Sequence, residues 1–231
     1  MVKDSEILYN LESYFTLRDL NDIHSRSKPI DSRHFPKYVK IANGIANVSI
    51  SVYTKDSAFK LTSIPVNFGK IAQNFSIEDN SIRSLKGGPS YVGGRIFSCS
   101  NNHLTSLEQG PEIVGGNYYC DDNKLITLKG APVSIPGSFF CRNNNLTSIE
   151  YLPKCTEPHE SVKLDYVKNM GLLSLIPSNF DYVEIGGQDN DNLIDILQKH
   201  MGRSITMPLK KEILLCQKEL IDNGFIGNAS W

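Results

Sequence analysis

The chain has 231 residues, 40% of them hydrophobic, which suits one ordinary domain or one extended solenoid and lies outside the disordered class. Its 25 acidic and 24 basic side chains nearly cancel, so there is no overall field to draw in nucleic acid or an anionic membrane surface. No run approaches the roughly 18 apolar residues of a membrane helix, and Met1-Val2-Lys3-Asp4-Ser5-Glu6 lacks a signal peptide's apolar stretch, so a cytoplasmic protein is expected.

In that compartment the five cysteines are expected as thiols. The sequons at Asn47, Asn74, Asn145 and Asn228 are then chance matches. Along the chain, Ile7, Leu8, Leu11, Tyr14, Phe15 and Leu17 recur at helical spacing and predict one or two short helices within residues 5–25. Val48, Ile50 and Val52 alternate with polar residues, which predicts an edge strand or a degenerate first repeat.

From Leu61 the chain repeats with a step of 21 or 22 residues. Each strong copy contains apolar-x-apolar-x-x-Asn-x-apolar: Phe75, Ile77, Asn80 and Ile82, then Phe97, Cys99, Asn102 and Leu104. Tyr118, Cys120, Asn123 and Leu125 follow, then Phe139, Cys141, Asn144 and Leu146. A fifth copy is aligned on Leu164, Tyr166 and Asn169, and a sixth lies near Val183 and Ile185 without its asparagine. The alternating pair predicts a short strand with both side chains on one face, and stacked copies would form a continuous core. The asparagine is placed to hydrogen-bond backbone groups of the turn leaving the strand. The Gly-Pro or Ala-Pro steps and the pairs Gly93-Gly94 and Gly115-Gly116 mark bends on the far side.

This pattern resembles the leucine-rich-repeat signature LxLxxNxL, with an aromatic residue and a cysteine in the first two apolar slots. The step, too short for a full helix per unit, is similar to the short bacterial class, and the wording LTSLxxGPxxVGGxFxCxxNx resembles repeat proteins of tailed bacteriophages. The resemblance implies a leucine-rich-repeat solenoid, α/β by class and mostly β. It would have a concave parallel sheet of short strands, an extended and turn-rich convex side, and helical caps at both ends. The expected organisation is a cap with an edge strand over 1–60, about six repeats over 61–192 with the last two irregular, and a second cap over 193–231.

Past the repeats, Leu193 to Met201 and Pro208 to Gly224 read as helices, and Leu209, Ile213, Cys216 and Leu220 form one stripe expected to pack on the last coil. Cys99, Cys120 and Cys141 share one slot that Ile77 and Ile185 fill elsewhere, which favours core packing over a metal ladder or disulfide. His24, His34, His103, His159 and His200 form no metal-ligand spacing, and no cysteine has a His and an acid at catalytic spacing. No catalytic residue, metal or cofactor is expected.

If the aromatic and cysteine point inward, three outward columns remain. The central one is read as Ser76, Ser98, Tyr119, Phe140, Asp165 and Glu184. The column before it is Asn74, Ile96, Asn117, Ser138, Lys163 and Tyr182, and the column after is Glu78, Ser100, Asp121, Arg142 and Val167. Tyr119 and Phe140 should lie side by side where nothing in the fold requires an aromatic, with Arg142 close by; aromatics and arginine are what interface centres enrich. The candidate partner-binding residues are therefore Tyr119, Phe140, Arg142, Asn117, Asp121, Ser98, Ile96, Asp165, Lys163 and Glu184. The expected function is a non-enzymatic module that captures or inhibits a partner protein through the concave face; the bacteriophage resemblance implies a host protein as that partner. The alternatives are a self-assembling virion component, and a substrate-recognition part of an enzyme with Cys155 or Cys216 as nucleophile.

Overall fold

A computed structural model of the chain describes residues 3–20, 29–55, 59–166, 170–186, 191–201 and 209–230. It opens with helix α1 (Asp4–Tyr14) and strand β1 (Phe15–Arg18), followed by the short helix α2 (Phe35–Tyr38) and strand β2 (Val39–Ala42). The chain then winds as a β-solenoid in which each coil supplies one strand to each of two faces. Strands β3 (Ile45–Val48) and β4 (Ser51–Thr54) make the first coil, β5 (Phe68–Ile71) and β6 (Phe75–Ser76) the second, and β7 (Tyr91–Val92) and β8 (Ile96–Ser98) the third. Next come β9 (Ile113–Val114) with β10 (Asn117–Tyr119), β11 (Ser134–Ile135) with β12 (Phe139–Cys141), and β13 (Lys154–Cys155) with β14 (Ser161–Asp165). A 3-10 turn at Leu173–Ser178 leads to β15 (Tyr182–Gly186), and helices α3 (Asp191–His200) and α4 (Leu209–Asp222) follow.

The first face is an eight-stranded sheet in the order β1-β4-β6-β8-β10-β12-β14-β15, parallel except where β1 runs antiparallel to β4. The second is a five-stranded sheet, β2-β3-β5-β7-β9, continued by the separate pair β11-β13. The far side of the coil is therefore a ladder of short strands, a more regular structure than the extended chain and turns expected there. The alternation at Val48, Ile50 and Val52 is also more than one strand: Val48 closes β3 on one face, and Val52 lies in β4 on the other, paired with Phe75. The same chain thus turns a corner of the solenoid at Ser49-Ile50, and a parallel coil precedes Leu61.

The inward side chains stack from coil to coil. Phe15, Phe68, Phe75, Phe97, Tyr118 and Phe139 form an unbroken file of rings, with successive centroids 5.2, 5.2, 6.1, 4.7 and 5.4 Å apart. Cys99, Cys120 and Cys141 are fully buried behind them, as are Leu104, Leu107, Leu125 and Leu128. Each such side chain contributes roughly 1.5–3 kcal/mol by leaving water, which is how strands of two or three residues persist.

The recurrent asparagine does what its position predicts. Asn102 Nδ2 donates to the carbonyls of Ile77, Cys99 and Ser100 at 2.9, 3.1 and 3.1 Å, while its Oδ1 accepts the N–H of Ile82 at 2.9 Å. Asn123 repeats the set one coil on, with Cys99, Cys120 and Asp121 carbonyls and the Leu104 N–H. One amide thus bridges two coils and serves backbone groups that water cannot reach.

The glycine pairs have a different cause from the one expected. None of Gly93, Gly94, Gly115 and Gly116 is among the residues with positive φ. At Gly115 an added Cβ would lie 2.6 Å from the Gly93 carbonyl oxygen, so glycine is required where the backbones of successive coils touch.

At the ends, two expectations shift. Helix α1 stops at Tyr14, and Phe15 and Leu17 bury themselves by strand alternation in β1. On α4 the buried stripe is Glu212, Cys216 and Leu220 with Ile213 half-buried, whereas Leu209 is exposed. Glu212 is tolerated inside because His200 Nδ1 lies 2.6 Å from its Oε1, and His200 Nε2 lies 3.0 Å from Glu219. Pro208, His24, Val167, Lys168 and Asn169 lie outside the described residues. Among the described residues no helix is long and apolar enough to cross a membrane.

Candidate interaction face

The eight-stranded sheet brings most of the candidate residues together. Tyr119 on β10 and Phe140 on β12 are register partners, and their outward rings stack with centroids 4.6 Å apart and planes 2° from parallel. That separation is close to the strand spacing of about 4.8 Å, so the rings stand as a column imposed by the repeat. Lys163 is the next register partner of Phe140, and its Nζ lies 5.5 Å from the ring centroid. Glu184 follows, paired with Lys163 in register and at 2.9 Å by salt bridge. Arg142 Nη2 also pairs with Glu184.

The outward column is therefore Tyr53, Ser76, Ser98, Tyr119, Phe140, Lys163 and Glu184. This corrects the sequence alignment of the fifth copy by two residues. Val162 and Leu164 occupy the inward slots opposite Phe139 and Cys141, so Lys163, not Asp165, stands beside Phe140. Asp165 sits at the strand end, where its Oδ2 accepts the Asn144 N–H at 3.2 Å. The slip arose because Leu164-x-Tyr166 imitates the motif, while the true pair, Val162-x-Leu164, lies two residues earlier.

Other candidates take up roles inside the protein. Ser98 is fully buried and presents nothing to a partner. Asn117 is satisfied at both ends: Oδ1 accepts the Ser138 N–H at 2.9 Å, and Nδ2 donates to the Tyr119 hydroxyl at 2.9 Å. The second bond steadies the tyrosine ring. Ile96 is half-buried, its N–H bonded to Asn74 Oδ1 at 3.2 Å. Asp121 Oδ1 accepts the Arg142 N–H at 2.8 Å, and burial pushes its carboxyl above the usual aspartate range against that bond. The face left to solvent is centred on Tyr119, Phe140, Lys163, Arg142 and Glu184.

Comparison with protein-family models, curated proteins and solved structures gave no match.

Beside this face the strand ends carry a column that motif reading passed over. Asp79, Asn101, Asp122 and Asn143 all hold φ between 52 and 58°, the left-handed region that Asp and Asn enter more readily than other side chains. Asn101 Nδ2 donates to Asp79 at 2.6 Å, and Asn143 Nδ2 to Asp122 at 2.8 Å. These residues border an open cleft of about 460 Å³, together with Glu78, Ser100, Asp121 and Arg142. The signal was present as an Asx immediately before each ladder asparagine, at a position the apolar motif leaves blank.

The thiols are uniformly withdrawn. Cys155 and Cys216 are buried, with 2% and 0% of their surfaces exposed. Burial raises both thiols above the ordinary cysteine range, and burial with the nearby Glu219 and Glu212 carries Cys216 to about 12. A nucleophile needs an accessible thiolate, and neither environment favours one. Among the described residues no group of three His, Cys, Asp or Glu is arranged to hold a metal ion.

Proposed function

We propose that this chain is a non-enzymatic protein-binding module of the leucine-rich-repeat kind, with its terminal helices as caps, which captures a partner protein on the sheet face carrying Tyr119 and Phe140. The observation that supports the reading most is the stacked pair itself: two large rings held at 4.6 Å on an outward column, flanked by Lys163, Arg142 and Glu184. Fixed aromatics lose little conformational freedom on binding and supply large contact area, which is the usual composition of an energetic centre. The charged end of the column gives orientation more than affinity. By analogy with bacteriophage repeat proteins, the partner is a host protein and binding serves to inhibit or recruit it in the host cytoplasm.

The test is affinity capture from a candidate host lysate, with wild type beside the Tyr119→Ala/Phe140→Ala double variant. The pair is solvent-facing, so the variant should keep the wild-type fold. A specific band lost in the folded variant supports this face; a band retained at full strength would place binding elsewhere.

A further inference from the structure

The second sheet carries a different kind of surface. Lys40 on β2 faces Asn47 on β3 in register, and Lys70 on β5 faces Tyr91 on β7, so these four residues form a row across four adjoining strands. Lys70 N–H donates to Asn47 Oδ1 at 2.8 Å, which ties the two halves of the row together. Lys37 and Tyr38, at the end of α2, close one side. With Val48, Ser49 and Ala72 these residues line an open cleft of about 310 Å³, at the lower end of the size range of small-molecule sites.

Two features of the cleft point to a ligand. Among the described residues its lining includes three lysines and no acidic residue, in a chain whose net charge is -1. Among the described residues none of Lys37, Lys40 and Lys70 is in an ion pair. Two ammonium groups instead lie over tyrosine rings, Lys37 at 5.1 Å from the Tyr38 centroid and Lys70 at 6.0 Å from that of Tyr91. Such contacts are weak at exposed sites, so the lysines remain available to an anion. The tyrosines and the exposed methyl group of Ala72 give the same cleft an apolar wall suited to a flat ring.

We infer that this cleft is a binding site for an anionic ligand with a planar ring, of the nucleoside-phosphate class. The lysines take the phosphate as point charges, and a tyrosine stacks the base, as aromatic side chains do in single-strand-binding proteins. The site lies on the second sheet, apart from Tyr119 and Phe140, and does not depend on the protein-capture reading.

The full-length protein is titrated against N-methylanthraniloyl-ADP by fluorescence anisotropy at low salt, with ADP, adenosine and inorganic phosphate as competitors. Saturable binding at one site is expected, with ADP competing at least about tenfold better than adenosine or phosphate. Lys40→Ala/Lys70→Ala should weaken binding at least about tenfold at an unchanged thermal melt, and Lys37→Ala, outside the sheet, should weaken it independently. Absence of saturation at millimolar ADP overturns the proposal, as does unchanged affinity in both variants. Phosphate competing as well as ADP removes the ring from the site. A short single-stranded oligonucleotide that binds more tightly than ADP and displaces it would make the row a nucleic-acid track instead.

Discussion

The phenol of Tyr118 occupies a slot that neighbouring coils fill with phenylalanine, and among the described residues its buried oxygen has no hydrogen-bond partner. A buried hydroxyl left unpaired is costly, so Tyr118→Phe should raise stability by about 1 kcal/mol in chemical denaturation. Asn123→Ala should do the opposite. It strips the Leu104 N–H and the Cys99 and Cys120 carbonyls of their side-chain partner, at an expected cost of about 3 kcal/mol. At the surface, Glu184 is held below the usual glutamate range by its hydrogen bond to Lys163 and by Arg142. A depressed carboxylate stabilises the fold when ionised, so its contribution is present above its ordinary 4.5 and is lost as pH falls below it. The difference in denaturation midpoint between wild type and Glu184→Gln should therefore shrink as the solution is acidified through that range.

Strands and turns show which patterns can be read in advance. Four copies of Phe/Tyr-x-Ile/Cys-x-x-Asn share one register, so β6, β8, β10 and β12 and their asparagine ladder were legible from residue types alone. The second sheet was not, because β7, β9, β11 and β13 are two residues long and offer no alternation to detect. Helix α1 ended early because Phe15 and Leu17 fit a helical stripe and a strand equally well, and pairing with β4 decided between them. Glu212 was absent from the predicted stripe because only the fold brings His200 beside it. The glycine pairs were recognised as corners, but their cause lies in a neighbour about 22 residues away. Gly115→Ala should accordingly destabilise far more than Gly44→Ala, whose Cβ would meet nothing within 4 Å and whose strain is confined to φ at 77°. Paired thermal melts of the two variants check this order.

Across the whole molecule, the repeat sets the outward columns as firmly as the core, since register that stacks Phe97 on Tyr118 also stacks Tyr119 on Phe140. The candidate face was therefore visible wherever the repeat was regular and misplaced where it was not. Tyr119 and Phe140 fall in the column that spacing gave them, whereas Lys163 and Asp165 each belong one column further along, because an imitation of the motif lies two residues past the true one. Ser98 was counted as available because alternation reports which face a side chain takes, not what its neighbours cover. The lysine row of the second sheet had no sequence signal, since its members come from β2, β3, β5 and β7, more than 50 residues apart at the extremes. The most direct measurement on the central claim is affinity capture by wild type beside Tyr119→Ala/Phe140→Ala. A specific protein held by the first and lost by the equally folded second is the predicted result; equal capture by both would contradict the assignment of this face.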